Sequence, residues 1–446
     1  MSSFINSGPG SSSRKVLLIT YDFFPDASPN TYRWFNIVKK WQDMGVQVFV
    51  ISANKNKFPA YEEVDGIRIY RTGEFAIGNL KYNYNKTTEH AVAQQKSGIN
   101  IKQMAKGLVR KLYDITWSKL YWPDYSFLWK FTALPLACKI IEEEKIDKVI
   151  TVSWMFTAHT IGYELKKKFN HLFWLADTVD PFSFNSKINN TELYGKLNVR
   201  TEKNVFLKAD LNSVLTKQIK EAYSSKFPEA KDKIMVNNNV FLPVDFDYSK
   251  PANDNNLHPV KLVFLGTLSE DTRSPRNLLV LFKKLIDKFG DHNFELSFFG
   301  DYTTSLAAFS PYDSLINKSV FLNKRVSRDE VNSIIKDSDV LINIGNNNKY
   351  QEPSKVIEYM YSGKKILNIC AITEDTSANL LSIYPLHMNV FPNDLNQEPT
   401  LHKVFEFLTE PGKVEKEVLK EILHDYFLDS VADKYYNSIF TSKGLL

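Results

Sequence analysis

Cysteine is nearly absent. Cys138 and Cys370 are the only two, they are far apart, and no CxxC or Cys/His cluster accompanies them. This removes a disulfide framework and a thiolate zinc site from consideration, and it fits a reducing compartment. No apolar run reaches the ~18 residues that would span a bilayer. Residues 1–13 are rich in Ser and Gly without an apolar h-region, so they read as a flexible tail and not as a signal peptide. A strong charge of either sign is also missing: 56 Lys+Arg against 51 Asp+Glu leave +5, too little on its own to argue for nucleic acid. The expected location is the cytoplasm.

Aromatic residues are plentiful instead. There are 31 Phe, 22 Tyr and 7 Trp, and with 43% apolar and 24% charged residues the chain has ordinary globular chemistry. At 446 residues it is too long for one domain of ~100–200 residues. Apolar runs alternate with helical periodicity. Lys15-Val-Leu-Leu-Ile-Thr20 is the first run, of the kind buried on both faces of a parallel sheet. Trp34, Ile37, Val38, Trp41 and Met44 then recur at helical spacing, Gly45 ends that helix, and a second apolar run covers 46–51. This is a βαβ unit. The rhythm resumes with strands predicted at Lys148–Ser153, 171–176, 211–215 and Ile234–Val236, and helices at 156–168 and 193–208.

Residues 241–258 are rich in Asn, Asp and Pro and mark a linker, set at 246–258. Beyond it come strands at Val260–Leu265, Phe294–Phe299, 320–322, 339–344 and 365–370. Ser327-Arg-Asp-Glu330 is a capping box, and the end of the chain from residue 415 reads as helical throughout. The expected architecture is α/β, with two Rossmann-like doubly wound domains facing a central cleft. They occupy residues 14–245, with a basic and aromatic insertion at 80–131, and residues 259–425. Residues 426–446 return to the first domain as a helix.

The sharpest segment is Glu352-Pro-Ser-Lys-Val-Ile-Glu358, continuing to Gly363. Pro353 stops an irregular stretch, Ser354 is a good N-cap, and Lys355 falls in the first helical turn. A cation is unfavourable there because the helix N-terminus is already partly positive. A phosphate resolves the conflict, drawing on free N–H groups, the Ser hydroxyl and the ammonium together. Glu358 lies one turn on and can accept hydrogen bonds from two vicinal hydroxyls, as a ribose offers. The bland alternative is a surface helix with a Lys/Glu pair.

Pro353-Ser-Lys-Val-x-Glu-Tyr-Met-x-x-Gly-Lys364 resembles the donor-binding motif of family 4, GT-B-fold glycosyltransferases, in a bacterial branch of surface-polysaccharide assembly. The likeness extends to Leu265-Gly-Thr-Leu268, Phe299-Gly-Asp301, Ser338-Asp-Val-Leu-Ile342, and the opening unit from Leu17 to Phe49. The resemblance implies a retaining, metal-independent transferase without a cofactor. Its donor would be a nucleotide-diphosphate sugar, UDP or GDP, and its acceptor a glycan or a lipid-diphosphate-linked glycan.

Carried over residue by residue, Ser354 and Lys355 contact the diphosphate and Glu358 the ribose. Tyr350 stands where the family has its donor-sugar Glu, with Glu352 two residues later. Gly266 and Thr267 open the donor loop. Arg273 and Arg276 follow, either as phosphate-binding forks or as solvated arginines. Asp177, with Asp180 after it, matches the strand-end position beside the reacting sugars; an Asx-type turn cap is the alternative. His159 is set on the acceptor side or is a packed or capping histidine. Asp26 and Ser28 occupy the equivalent of the acceptor loop, with Ser28-Pro29 in place of a Gly pair. An epimerase of the same fold, or a non-catalytic relative, shares these features.

The insertion carries an amphipathic pattern. Lys102, Lys106 and Arg110 lie opposite an apolar face, and Trp117 and Trp122 follow. This suits contact with anionic lipid at the inner face of the membrane, or a helix packed on its own domain with a solvated basic face. The lipid reading has a direct check: the protein should float with anionic liposomes, and replacing Lys102, Lys106 and Arg110 by Glu should abolish this. A wild-type chain that stays unbound refutes it.

Overall fold

The computed structural model describes residues 14–26, 28–55, 58–73, 120–185, 191–244, 259–353 and 355–441. Ser354, Lys102, Lys106, Arg110, Trp117 and the linker 246–258 lie outside the described residues. The chain divides into two compact units, Met1–Asn238 with Leu428–Leu446, and Asn239–Phe427.

In the first unit the sequence follows β1 (Lys15–Thr20), α1 (Pro29–Asp43), β2 (Gln47–Ala53), β3 (Tyr61–Val64) and β4 (Ile67–Thr72). It continues as α2 (Lys130–Glu144), β5 (Lys148–Ser153), α3 (Thr157–Lys168), β6 (Phe173–Thr178), α4 (Thr191–Lys208), β7 (Leu211–Val214), α5 (Lys217–Lys226) and β8 (Ile234–Val236). The eight strands form one sheet in the order β3-β4-β2-β1-β5-β6-β7-β8. All neighbours run parallel except β3 with β4. That hairpin turns at Asp65-Gly66, both with positive φ, the conformation a two-residue hairpin needs. The continuous apolar runs of β1 and β5 are buried because helices cover both faces of the sheet.

The second unit contains β9 (Val260–Leu265), α6 (Arg276–Phe289), β10 (Phe294–Phe299), β11 (Val320–Asn323), α7 (Arg328–Asp337), β12 (Val340–Ile344), α8 (Lys355–Tyr361), β13 (Lys365–Ile369), α9 (Thr376–Leu381), β14 (His387–Val390), α10 (Glu398–Thr409) and α11 (Lys416–Ile422). Its six strands are all parallel, in the order β11-β10-β9-β12-β13-β14. The strand order reverses between β9 and β12, which makes this pair the switch point at whose carboxyl ends ligands bind in doubly wound sheets. The expected capping box is present at Ser327 and Glu330, each side chain bonding the other's backbone N–H.

The end of the chain differs from expectation. It is not one helix: α11 is followed by a short 3₁₀ turn, His424–Tyr426, and by Phe427 in extended conformation, before α12 (Leu428–Tyr436) begins. The apolar periodicity continues through the break, where the chain passes from the second unit, which holds α11, to the first, which holds α12.

In the first unit α12 packs on α1. Trp41 Nε1 donates to the Ala432 carbonyl at 3.0 Å, and the Trp34 and Tyr435 rings lie 5.0 Å apart. Beneath them is a buried ion pair. Arg33 forks onto Asp177 with bonds of 2.7 and 3.1 Å, Trp34 Nε1 donates to the same carboxylate at 2.9 Å, and Tyr435 donates to it at 2.6 Å. Burial opposes the charge on Arg33, but Asp177 and Tyr435 together offset it and the net shift of the guanidinium is upward. No helix among the described residues is long and apolar enough to cross a membrane.

Removing one member of a buried ion pair leaves an uncompensated charge, at a cost of about 3–5 kcal/mol. Arg33→Met should lower the stability of the first unit by that order in urea unfolding, and adding Asp177→Leu should recover most of it. A single change costing under about 1 kcal/mol, the scale of an exposed pair, would contradict this assignment.

Candidate functional site

At the carboxyl end of β9 the chain turns through Gly266, and at the end of β10 through Gly300. Both have positive φ, and a Cβ on Gly300 would sit 1.9 Å from the Gly266 carbonyl oxygen, so only glycine permits this contact. The two loops stay paired beyond the strands, through Gly266 N to Phe299 O at 2.9 Å and Leu268 N to Asp301 O at 2.8 Å. Thr267 points into solvent.

Two cations converge on this edge. Lys355, at the first position of α8, sends its Nζ to the Leu265 carbonyl at 3.2 Å, which the Tyr359 hydroxyl also contacts at 3.3 Å. Arg273 bends back from the β9 loop so that its Nη1 would lie 3.6 Å from a Cβ on Gly266. Its Nη2 donates to Asn346 Oδ1 at 3.0 Å, in the loop after β12. Asn346 in turn donates to the Gln351 carbonyl at 3.2 Å, and Thr376 donates to the same oxygen at 2.8 Å. One arginine and one asparagine therefore bridge the two loops of the switch point.

Burial lowers the pKa of both Arg273 and Lys355. For Lys355, Glu358 acts in the opposite direction while Arg328, Arg273 and Arg325 add to the lowering. The Arg273 Nε is buried and has no hydrogen-bond partner among the described residues. Desolvated cations in mutual repulsion, with an open N–H, are the electrostatic complement of an anion.

The remaining candidates fall into three groups. Glu358 is nearly buried and paired with Arg328 at 2.9 Å. Pro353 is buried and its carbonyl accepts from Val356 N, opening α8. Glu352 is partly exposed but seated deeply enough that burial pushes its carboxyl up to about 7. It lies within electrostatic reach of the Tyr426 hydroxyl, and no described residue forms a hydrogen bond or ion pair with it. Arg276 turns away, in an exposed pair with Glu270 at 2.8 Å, and does not join Arg273.

The first unit buries two of the expected site residues, Asp177 and His159. Asp177 is 0% exposed with both oxygens engaged by Arg33, Trp34 and Tyr435, so it secures the fold and offers no atom to a substrate. His159 is equally buried. Its ring nitrogens meet the Thr151 hydroxyl at 2.8 Å and the Thr178 hydroxyl at 3.2 Å, and burial pushes its pKa down to about 4, so it is a neutral core histidine. Ser28 caps α1 through Thr31 N at 3.1 Å, and Asp26 lies 3.5 Å from Lys55. Asp180 is half-buried just past β6, in a loop held by buried Glu202, which accepts from Phe182 N at 2.7 Å and Ser183 N at 3.1 Å. Trp122 satisfies its indole N–H on Asn198 at 2.9 Å.

Asn346, Arg328 and Glu202 escaped the sequence reading. Only Asn346 left a trace, in the Asn346-Asn-Asn348 run directly after an apolar strand.

The raised Glu352 carboxyl has a thermodynamic signature. A folded-state pKa near 7 against an ordinary 4.5 means the native state holds the proton longer, so stability present below about 4.5 is lost as pH rises to about 7. Glu352→Gln should match the wild type at acid pH and become increasingly more stable across that window, with a constant gap above it. A gap independent of pH would contradict the burial of this group.

No protein-family model matches the chain, and no curated protein sequence matches it. Solved structures do. Sucrose-phosphate synthase from Thermosynechococcus elongatus aligns at 12% identity and TM-score 0.59, over 96% of this chain and 99% of that one. The lipopolysaccharide outer core galactosyltransferase WaaB aligns at 13% and 0.60, over 96% and 99%. The trehalose-6-phosphate protein from E. coli bound with UDP-2-fluoro glucose aligns at 11% and 0.61, over 95% and 98%. Likeness along the whole chain at such low identity establishes architecture: the chain has the α/β fold, with two Rossmann-like domains, of the GT-B glycosyltransferases.

Proposed function

We propose that the protein is a glycosyltransferase that takes a sugar from a nucleotide-diphosphate donor held by the second unit. The observation that carries this reading is the pair Arg273 and Lys355, desolvated together at the switch point, with the Arg273 Nε unpartnered among the described residues. A diphosphate would satisfy that N–H, replace the Leu265 carbonyl as the partner of Lys355, and relieve the repulsion between the two cations. Three residues further along α8, Glu358 would accept from a ribose. Two of the solved structures with this fold carry matching ligands in their own sites, UDP-2-fluoro glucose in one and ADP with acarbose in the other.

In the proposed transfer the bond between the anomeric carbon and the diphosphate oxygen breaks, and the electron pair leaves with the nucleoside diphosphate. An acceptor hydroxyl forms the new bond and gives up its proton. Arg273 and Lys355 would stabilise the charge that grows on the leaving diphosphate, the role of preorganised cations in group transfer. Retention of configuration, independence of metal, and a glycan or lipid-diphosphate acceptor in surface-polysaccharide assembly belong to the same proposal, on the motif around Lys355. Tyr350, where the family pattern has a carboxylate, favours a second reading: a relative that binds nucleotide without turnover.

Slow release of nucleoside diphosphate from one member of a UDP- and GDP-sugar panel is the expected result. A charge-assisted hydrogen bond is worth ~1.5–3 kcal/mol, so Lys355→Ala should weaken nucleotide binding roughly 10- to 150-fold. Binding without release for any donor, with acceptors present, would leave the non-catalytic reading in place. No binding at all would refute both.

A further inference from the structure

Arg328 stands apart from the residues that motif spacing selects. It is the first residue of α7, one turn ahead of nothing but its own cap, and a cation at that position opposes the partial positive charge of the helix start. Ser327 and Glu330 cap the helix independently of it, with Ser327 N donating to Glu330 Oε2 at 2.7 Å. The partner that accounts for Arg328 lies on another helix. Its guanidinium reaches across to α8, where Nη2 lies 2.9 Å from Glu358 Oε1 and Nη1 donates to Oε2 at 3.3 Å.

The two ends of this pair differ in environment. The Glu358 side chain is 6% exposed and that of Arg328 60% exposed. As a clamp between helices, such a half-exposed pair contributes little to stability. What it does to Glu358 is fix its direction, because a nearly buried carboxylate without a cation tends to turn towards water. A protonated carboxyl presents one donor and a weaker acceptor, whereas a carboxylate presents acceptors only, about four lone-pair sites in total. The ion pair uses one of these sites, on Oε2, and sets the plane of the carboxylate, while buried Oε1 has no hydrogen-bond partner among the described residues and stays open as an acceptor.

We infer that Arg328 is a positioning residue for nucleotide recognition: it holds Glu358 oriented so that the carboxylate can accept from both hydroxyls of a ribose. This rests on the reading of the second unit as a nucleotide-diphosphate site. It adds a specificity determinant, the discrimination of ribose from 2′-deoxyribose, and assigns it to a residue that touches the acceptor carboxylate and not the ligand. Among the described residues, Arg328 pairs with Glu358, and Lys355 and Tyr359 lie within its electrostatic reach. Lys355 is assigned to the diphosphate, which leaves Arg328 as the cation dedicated to this carboxylate.

The test is equilibrium binding of UDP and GDP, each beside its 2′-deoxy counterpart, to the wild type, Arg328→Gln and Arg328→Lys. The wild type should prefer the ribonucleotide by about tenfold, the worth of one hydrogen bond to a charged acceptor. Arg328→Gln should bind the deoxy form as the wild type does and lose the preference, while Arg328→Lys should restore part of it. A full preference retained in Arg328→Gln overturns the inference, and so does an equal loss for both forms, which is what a merely structural contact would produce. A wild type that binds nucleoside diphosphates without preferring ribose also overturns it, leaving the nucleotide reading intact. If the wild type binds none of the four, the nucleotide reading itself fails.

Discussion

Two positive charges taken out of water need a counter-charge, and among the described residues of the second unit Arg273 and Lys355 come together with no carboxylate as direct partner of either. Lys355 rests on a backbone carbonyl and Arg273 on an asparagine. Much of the surrounding structure serves to keep them there. Gly266 and Gly300 let the β9 and β10 loops touch backbone to backbone, Asn346 ties the β9 loop to the β12 loop, and Tyr359 brackets Leu265 from below. Such an arrangement opposes folding while it lacks a counter-charge and would become favourable with an anion bound, which is the basis of the proposed phosphorylated ligand.

The first unit resolves its own buried charge in the opposite manner. Arg33 has a carboxylate as direct partner, Asp177, on which Trp34 and Tyr435 also donate, although the Arg33 Nε, like that of Arg273, has no hydrogen-bond partner among the described residues. What this pair does is hold α12 to α1 and β6. The contrast between a closed ion pair in one unit and an open pair of cations in the other separates framework from site more clearly than any single residue does.

Strands buried on both faces were legible in the sequence because nothing but apolar side chains can occupy them: Lys15–Thr20, Lys148–Ser153, Val260–Leu265 and Phe294–Phe299 stand where the apolar runs are. The β3–β4 hairpin was not predicted, since its residues alternate between exposed and buried positions at the edge of the sheet and form no continuous run. The anion-binding chemistry proposed for Lys355 starts from a conflict that is local in sequence, between a lysine and a helix N-terminus. The employment of Asp177 was not legible. Its partners Arg33 and Tyr435 lie 144 and 258 residues away, and a strand-end carboxylate looks the same in sequence whether it faces a substrate or an arginine. Arg276 was paired with Arg273 by proximity in sequence, yet the turn between them sends one inward and the other to Glu270.

A structure of the protein with a nucleoside diphosphate bound addresses the open cation pair directly. The diphosphate oxygens should lie within charge-assisted hydrogen-bond distance, about 2.7–2.9 Å, of Arg273 Nε and Lys355 Nζ, with Lys355 released from the Leu265 carbonyl. A nucleotide seated elsewhere, with Lys355 still on Leu265 and the Arg273 Nε still unbonded, would contradict the account.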